Sequence, residues 1–357
     1  MNPREITRFR LQNQQITAHP STTPQEVVAA LGAMQGQDYR NALWAIGLRL
    51  PTSSEADIER AVARAEIVRT WAMRGTLHFV AAADVRWILE LLAPRIIAAR
   101  AYRRRALELD GATLTRSGLL LGQALSERRL LTRSEAMGLL ERAGIETAGQ
   151  RGIHILSHLS LEGLLCQAAF VGREPTFALL DTWVPEAATM EREAALGELG
   201  RRYFRGHGPA TLQDFVWWSG LTVAEARTAL ETAMPRLTRA QVGDAVYWMG
   251  TSAPPAPSGP QDVHVLPGFD EYVLGYRDRE VVMDAAYAQR VVPGGNGVFR
   301  PAIVVNGRVV GTWRLGNKVR AASVVELFSS LDAATSDAIA QTLRDYDGFA
   351  RGASAFA

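Results

Sequence analysis

RGHGPATLQDFVWWSGLTVAEARTALETAMPRLTRAQVGDAVYWM, residues 205–249, decides what kind of fold to expect. Thr211 and Thr222 each precede an apolar-periodic run, where a hydroxyl can accept a backbone N–H left unpaired at a helix start. Gly220 falls between the runs, and two caps with one turn glycine at this spacing are what a helix-turn-helix needs. LTRAQVGDAVYWM then reads as a β-hairpin, so the segment is expected to be a winged helix-turn-helix.

Working outward, the same order recurs upstream, and such weak repetition points to tandem units. In residues 111–185, LTRSEAMGLLERAGI carries Thr132 and Glu135 as a capping box, GQRGIHILSHLSLEGLL reads as the next helix, and CQAAFVGREPTFALL alternates around Gly172-Arg173. In residues 1–110, REITRFRLQNQQI is a helix candidate, TPQEVVAALGAMQ opens with Thr23 and Pro24, and Asp38 can cap YRNALWAIGLRL. IVRTWAMRGTLHFV reads as a hairpin around Arg74-Gly75, and a helix opened by Asp84 runs through to Arg103, Arg104 and Arg105. That basic run reads first as a solvated helix face.

Downstream, TSAPPAPSGPQ, residues 251–261, is the clearest domain boundary. Residues 262–357 turn β-rich, with Asn306-Gly307 as a type I′ hairpin signal and a final helix. The expected architecture is therefore mainly α with small β elements, an α+β fold. It has winged units over 1–110, 111–185 and 186–250, and a β-rich C-terminal part over 262–357.

Composition narrows the chemistry. Hydrophobic residues make up 47% and charged residues 21%, the balance of a globular chain. The polar N-terminus and the lack of a long apolar run predict a cytoplasmic protein. Cys166 is the only cysteine and lies beside Leu164 and Leu165, which predicts a core position. Lys318 is the only lysine, so Schiff-base chemistry would have to use it or the N-terminal amine. There is no Walker A pattern, HExxH or GxSxG, and His154 and His158 lack a third metal ligand. No metal and no cofactor are expected.

Gln35 and Gln37 stand one residue apart between two helical patterns. Alone, they read as polar residues closing a helix C-terminus. LPGFDEYVLGYRDR, with Asp270, Glu271, Tyr272, Tyr276 and Arg277, reads alone as a satisfied polar turn, and His78 as a hydrogen-bonded structural histidine near Arg74 and Trp71.

Taken together, AMQGQDYRNALWAIGLR, RTWAMRGTLHFV, GHGPATLQDFVWWSGL, LPGFDEYVLGYRDR and FRPAIVVNGRVVGTWR resemble the winged-helix DNA glycosylases of the AlkZ/YcaQ type. The resemblance implies tandem winged helices that bind double-stranded DNA, and excision of N-alkylated purines or unhooking of interstrand crosslinks. It also implies a catalytic Gln-x-Gln motif in the AlkZ-like branch, here Gln35-Gly36-Gln37, where the YcaQ-like branch has Gln-x-Asp. Asp38 lies one place late for that second pattern, and stands with His78 as catalytic support. The DNA-contacting set implied is Trp71, Arg74, Asp270, Tyr272, Arg277, Trp313, Arg314 and Lys318, with PGGNG around Gly294 to Gly297 as a hairpin tip for a groove. A monomeric, monofunctional glycosylase without lyase activity is expected. The alternative is a non-catalytic winged-helix transcription regulator, against which stand recognition helices rich in Leu, Ala and Gly with few groups for base edges.

Overall fold

The caps that organise residues 205–249 work through side-chain oxygens. Thr211 and Asp214 exchange hydrogen bonds at the start of the helix Leu212–Ser219, and Thr222 and Glu225 do the same for Val223–Ala233. Between them Gly220 sits at φ 73°, in the left-handed region open to glycine. The strands Leu237–Val242 and Ala245–Gly250 follow and pair antiparallel from Leu237↔Gly250 to Val242↔Ala245.

The computed structural model describes residues 1–172, 174–250, 262–295, 297–315 and 323–352. Among these it has sixteen α-helices and twelve strands, a mixed fold in which helix predominates. No described helix is long and apolar enough to cross a membrane. The chain forms two compact units, one of Met1–Ile58 with Leu196–Ala357, the other of Glu59–Ala195. The segment read as 1–110 is thus divided after residue 58, its early helices belonging with the C-terminal part of the chain.

In the first unit, Pro3–Asn13 is capped by Asn2 with Glu5, and Pro24–Leu31 by Thr23 with Glu26. Asp38 caps Tyr39–Gly47, whose residues from Ala42 onward are all buried. Four antiparallel strands lie in the order Val324–Leu327, Arg308–Arg314, Ala302–Val305, Val263–Leu266. Asn306 and Gly307 both have positive φ, 49° and 78°, as a type I′ turn requires. Trp44 ties helix to sheet by donating its indole N–H to the Val265 carbonyl (2.9 Å), and its ring packs on Tyr346 and Phe349 of the last helix, Ala333–Ala350.

In the second unit, five strands lie in the order Leu77–Ala81, Ile67–Trp71, Leu165–Val171, Glu174–Leu179, Leu131–Thr132. Trp71 stacks on Phe177 within an apolar core that takes Leu121, Leu125, Leu140, Ile155 and Leu159 from three helices. Thr132 and Glu135 form the expected capping box of Arg133–Arg142. Cys166 is fully buried, and burial pushes its thiol pKa up.

Three local expectations change. Asp84 does not cap with its side chain; its carboxylate accepts the Trp87 indole N–H at 3.0 Å. The long helix read after it breaks at Arg100 into Val85–Ala99 and Ala101–Ala106. Pro293–Gly295 is a 3₁₀ turn following the helix Ala288–Val291 rather than a hairpin tip, since strand pairing begins only at Ala302. Asn296 of that stretch lies outside the described residues, as does Lys318.

Candidate active site

Gln35 lies where two helices change direction. Pro24–Leu31 ends at Gly32, whose φ of 82° favours glycine, and a Cβ there would lie 3.4 Å from the Trp218 ring. Ala33 and Met34 run on buried, and Gln35 itself is 7% exposed. Its backbone N–H donates to Oε1 of Glu271, 3.1 Å away and 236 residues later. Gln37 and Asp38 are exposed, and the Asp38 carboxylate accepts the Asn41 N–H at 3.0 Å as the cap of the next helix.

The opposing wall is the loop from Leu266 to Arg279. Gly268 has no room for a side chain: a Cβ there would lie 2.7 Å from the Phe299 carbonyl and 3.2 Å from the Asn41 amide. Phe269 turns the chain at φ 65°, which places Asp270 at the start of the short helix Glu271–Leu274. Asp270 caps that helix through the Tyr272 N–H (2.9 Å) and grips the Arg49 guanidinium with both oxygens, at 2.9 and 3.1 Å. Both side chains are completely buried. Arg49 also donates to the carbonyls of Ala45 and Gln14 and to Oε1 of Gln14, so its charge is spread over several acceptors.

Glu271 is 1% exposed. Besides the Gln35 N–H on Oε1, its Oε2 accepts the Trp218 indole N–H at 2.8 Å and faces Nε2 of His207 at 3.1 Å. Facing a carboxylate, Nε2 is the protonated nitrogen of that ring. His207 is stacked on Tyr203 and pressed against Gly275, where a Cβ would come within 2.8 Å of the imidazole. Tyr203 donates to the Gly275 carbonyl (2.9 Å), Tyr276 donates to the His207 carbonyl (2.5 Å), and the Arg10 guanidinium carbon sits 3.6 Å from the centre of the Tyr276 ring. Burial raises the pKa of both phenols, which stay neutral donors. The Asp214 carboxylate accepts the Arg277 N–H at 3.0 Å and closes the loop.

The remaining candidates divide into enclosed and open residues. Tyr272 is fully buried and donates to the Gly307 carbonyl (2.8 Å), and Trp313 is buried and donates to the Leu266 carbonyl (2.8 Å). Asp270 is consumed by Arg49. An enclosed ring cannot stack on a base, and a buried carboxylate cannot meet DNA, so these three hold the loop and sheet instead of touching a ligand. Arg277 and Arg314 are exposed, with Arg277 donating to Gln213 at 3.1 Å. In the second unit Trp71 belongs to the core, and His78 is fully buried with Nδ1 against the Thr76 carbonyl at 3.0 Å. Arg74 sits half-buried at φ 52° in the turn between paired strands.

Sequence reasoning passed over Arg49, His207, Trp218 and the weight of Glu271. A signal was available: two adjacent carboxylates inside the apolar run GFDEYVLGY must bury charge, and a buried carboxylate requires donors. What the sequence could not say is which donors.

Comparison with known proteins adds three findings. The family model described as DNA glycosylase AlkZ-like matches residues 28–349. An "Interstrand DNA cross-link repair glycosylase" of Streptomyces sahachiroi is 25% identical over 346 residues, covering 87% of each chain. The solved structure of Streptomyces sahachiroi DNA glycosylase AlkZ superposes with a TM-score of 0.80 at 24% identity, covering 98% of this chain and 97% of that one, a likeness of fold.

Proposed function

The chain belongs to the AlkZ-like DNA glycosylase family, and from that premise we propose that it hydrolyses the N-glycosidic bond of purines made cationic by alkylation at N7 or N3, with Gln35 and Gln37 handling the attacking water. The observation that carries this reading is the junction itself. Gln35 is tied by its main chain to a buried carboxylate, while Gln37, two residues on, is exposed in front of a capped helix. Gln35 is held by its main chain, and Gln37 stands at the surface where a ligand can reach it.

The chemistry suits amides because the substrate brings its own charge. A purine alkylated at N7 or N3 leaves as a neutral base, so its bond to the sugar breaks toward an oxocarbenium-like state without a general acid. Water must be placed and developing charge stabilised, which preorganised dipoles accomplish. A glutamine carbonyl accepts a hydrogen bond from water, and its amide donates to a sugar or phosphate oxygen. Asp38 spends its carboxylate on the helix cap, so its part is to position the exposed Gln37 beside it. An undamaged neutral base lacks the charge and is a poor substrate.

On this reading Arg277, Arg314 and Arg74 contact phosphates, and the three helix-and-hairpin segments act as winged helices on double-stranded DNA. The protein acts as a monomer in the cytoplasm and leaves an abasic site uncut. The Streptomyces sahachiroi relative is named for cross-link repair. Unhooking a crosslinked purine breaks the same bond, and we extend the proposal to that substrate.

The test is release of N7-methylguanine from duplex DNA, counted as abasic sites, by wild type and by Gln35→Ala and Gln37→Ala. Wild type is expected to release the base well above the spontaneous rate and both variants to fail. Equal release by all three would remove the two glutamines from the mechanism, and sequence-specific footprints without any release would favour a regulator.

A further inference from the structure

We infer that Glu271 is a positioning residue for the reaction, acting through Gln35 without touching the substrate. This rests on the reading of Gln35 and Gln37 as the pair that handles the water. Three N–H groups from two distant stretches of the chain converge on this one carboxylate: the main chain of Gln35, and the indole of Trp218 with the imidazole of His207. Glu271 is 1% exposed, and all three donors lie on its two oxygens.

A buried carboxylate is an expensive way to satisfy hydrogen-bond donors, and only one property makes it the fitting choice. Ionised Glu presents two oxygens that accept and never donate, whereas Gln presents one oxygen and one NH₂. Replacing Glu271 by Gln therefore sets an NH₂ against a donor whichever way the amide turns. With its oxygen toward Gln35, the NH₂ meets the Trp218 indole N–H; with its oxygen toward Trp218, the NH₂ meets the Gln35 N–H. The second orientation pushes the Gln35 main chain off its anchor.

The anchor is itself clamped. The preceding residue, Asp270, is locked to Arg49, and Gly275 at the far end of the short helix is pinned by Tyr203 and His207. Glu271 thus transmits the position of a rigid loop to one peptide unit of the Gln-x-Gln motif. Catalysis by dipoles depends on geometry, and a displacement of about 1 Å can cost roughly 100-fold in rate.

The experiment measures single-turnover release of N7-methylguanine from duplex DNA, together with the DNA dissociation constant. It compares wild type, Gln35→Ala, Glu271→Gln and the double variant Glu271→Gln/Trp218→Phe. Glu271→Gln is expected to slow base release by on the order of 100-fold while DNA affinity stays near wild type, a split that general destabilisation would not produce. The double variant removes the competing indole N–H, and His207, with its proton moved to Nδ1, accepts the NH₂ at Nε2; the amide oxygen then faces Gln35, and much of the lost rate is expected to return. Wild-type release by Glu271→Gln while Gln35→Ala is inactive would overturn the positioning role and leave the glutamine reading standing. Wild-type release by Gln35→Ala as well would overturn the glutamine reading itself. Should Glu271→Gln fail to fold, Glu271→Asp keeps the charge but shortens its reach by one methylene. The same slowing is expected of it, and a wild-type rate overturns the proposal.

Discussion

Replacing Asp270 by Asn should destabilise the protein by about 3 kcal/mol, and the figure follows from what Arg49 keeps and loses. The pair is bidentate, with both side chains fully buried. Removing one partner of such a pair leaves an uncompensated buried charge and typically costs about 3–5 kcal/mol. Arg49 retains three acceptors on Gln14 and Ala45, which places the loss at the lower end. Asn caps a helix about as well as Asp, so the Tyr272 N–H stays satisfied and the substitution isolates the charge. Asp270→Ala also removes the cap and should cost roughly 1 kcal/mol more. Urea unfolding at equilibrium, with the midpoint and slope fitted for wild type, Asp270→Asn, Asp270→Ala, Arg49→Met and Arg49→Met/Asp270→Asn, measures the effect. The double variant should lose less than the sum of its single changes, because no charge is left stranded. A loss below about 1 kcal/mol for Asp270→Asn, or simple additivity in the double variant, would refute the assignment of Asp270 as the counter-charge of Arg49.

Other outcomes follow from single contacts. Asp38→Ser retains a capping oxygen and should release base at the wild-type rate, whereas Asp38→Ala should lose about 1 kcal/mol of stability; a folded Asp38→Ser without activity would give Asp38 a direct role at the water. Gly75→Ala places a Cβ 2.6 Å from the Arg100 guanidinium at a φ of 74°, and should destabilise by more than about 1 kcal/mol in thermal or urea unfolding. Borohydride added during turnover should trap no protein–DNA adduct, since no amine is needed; trapping that disappears in Lys318→Arg would establish lyase chemistry. Arg277→Ala and Arg314→Ala should each weaken DNA binding evenly across sequences and lower the salt-dependence slope by about 1, as measured by fluorescence anisotropy.

Local chemistry is what the sequence made legible. The helix caps at Thr23, Thr132, Thr211 and Thr222, the turn at Gly220, the Asn306-Gly307 hairpin and the buried Cys166 all depend on neighbours within a few residues. Asp84 misled because the nearby Trp87 indole competes for the same carboxylate. The aromatic residues chosen for DNA misled in another way: Trp71, Tyr272 and Trp313 carry polar handles that suit a surface, but each handle or ring is absorbed inside the protein. Pairings such as Arg49 with Asp270 or Gln35 with Glu271 span more than two hundred residues and leave no periodic trace in the chain.

On the proposed reading, the Gln35 to Glu271 bond also bears on when activity can appear during synthesis. Its two ends are separated by 236 residues, and the whole second unit is made between them. At about 5–20 residues per second, the interval is roughly 12–47 s. Throughout it, Val27, Val28 and Leu31 have been made while later elements of their unit have not, so the earliest segment of the chain is the one whose folding waits longest. On the proposed reading, a nascent chain stalled in this interval carries the Gln-x-Gln motif without its Glu271 anchor and is expected to release no base from DNA.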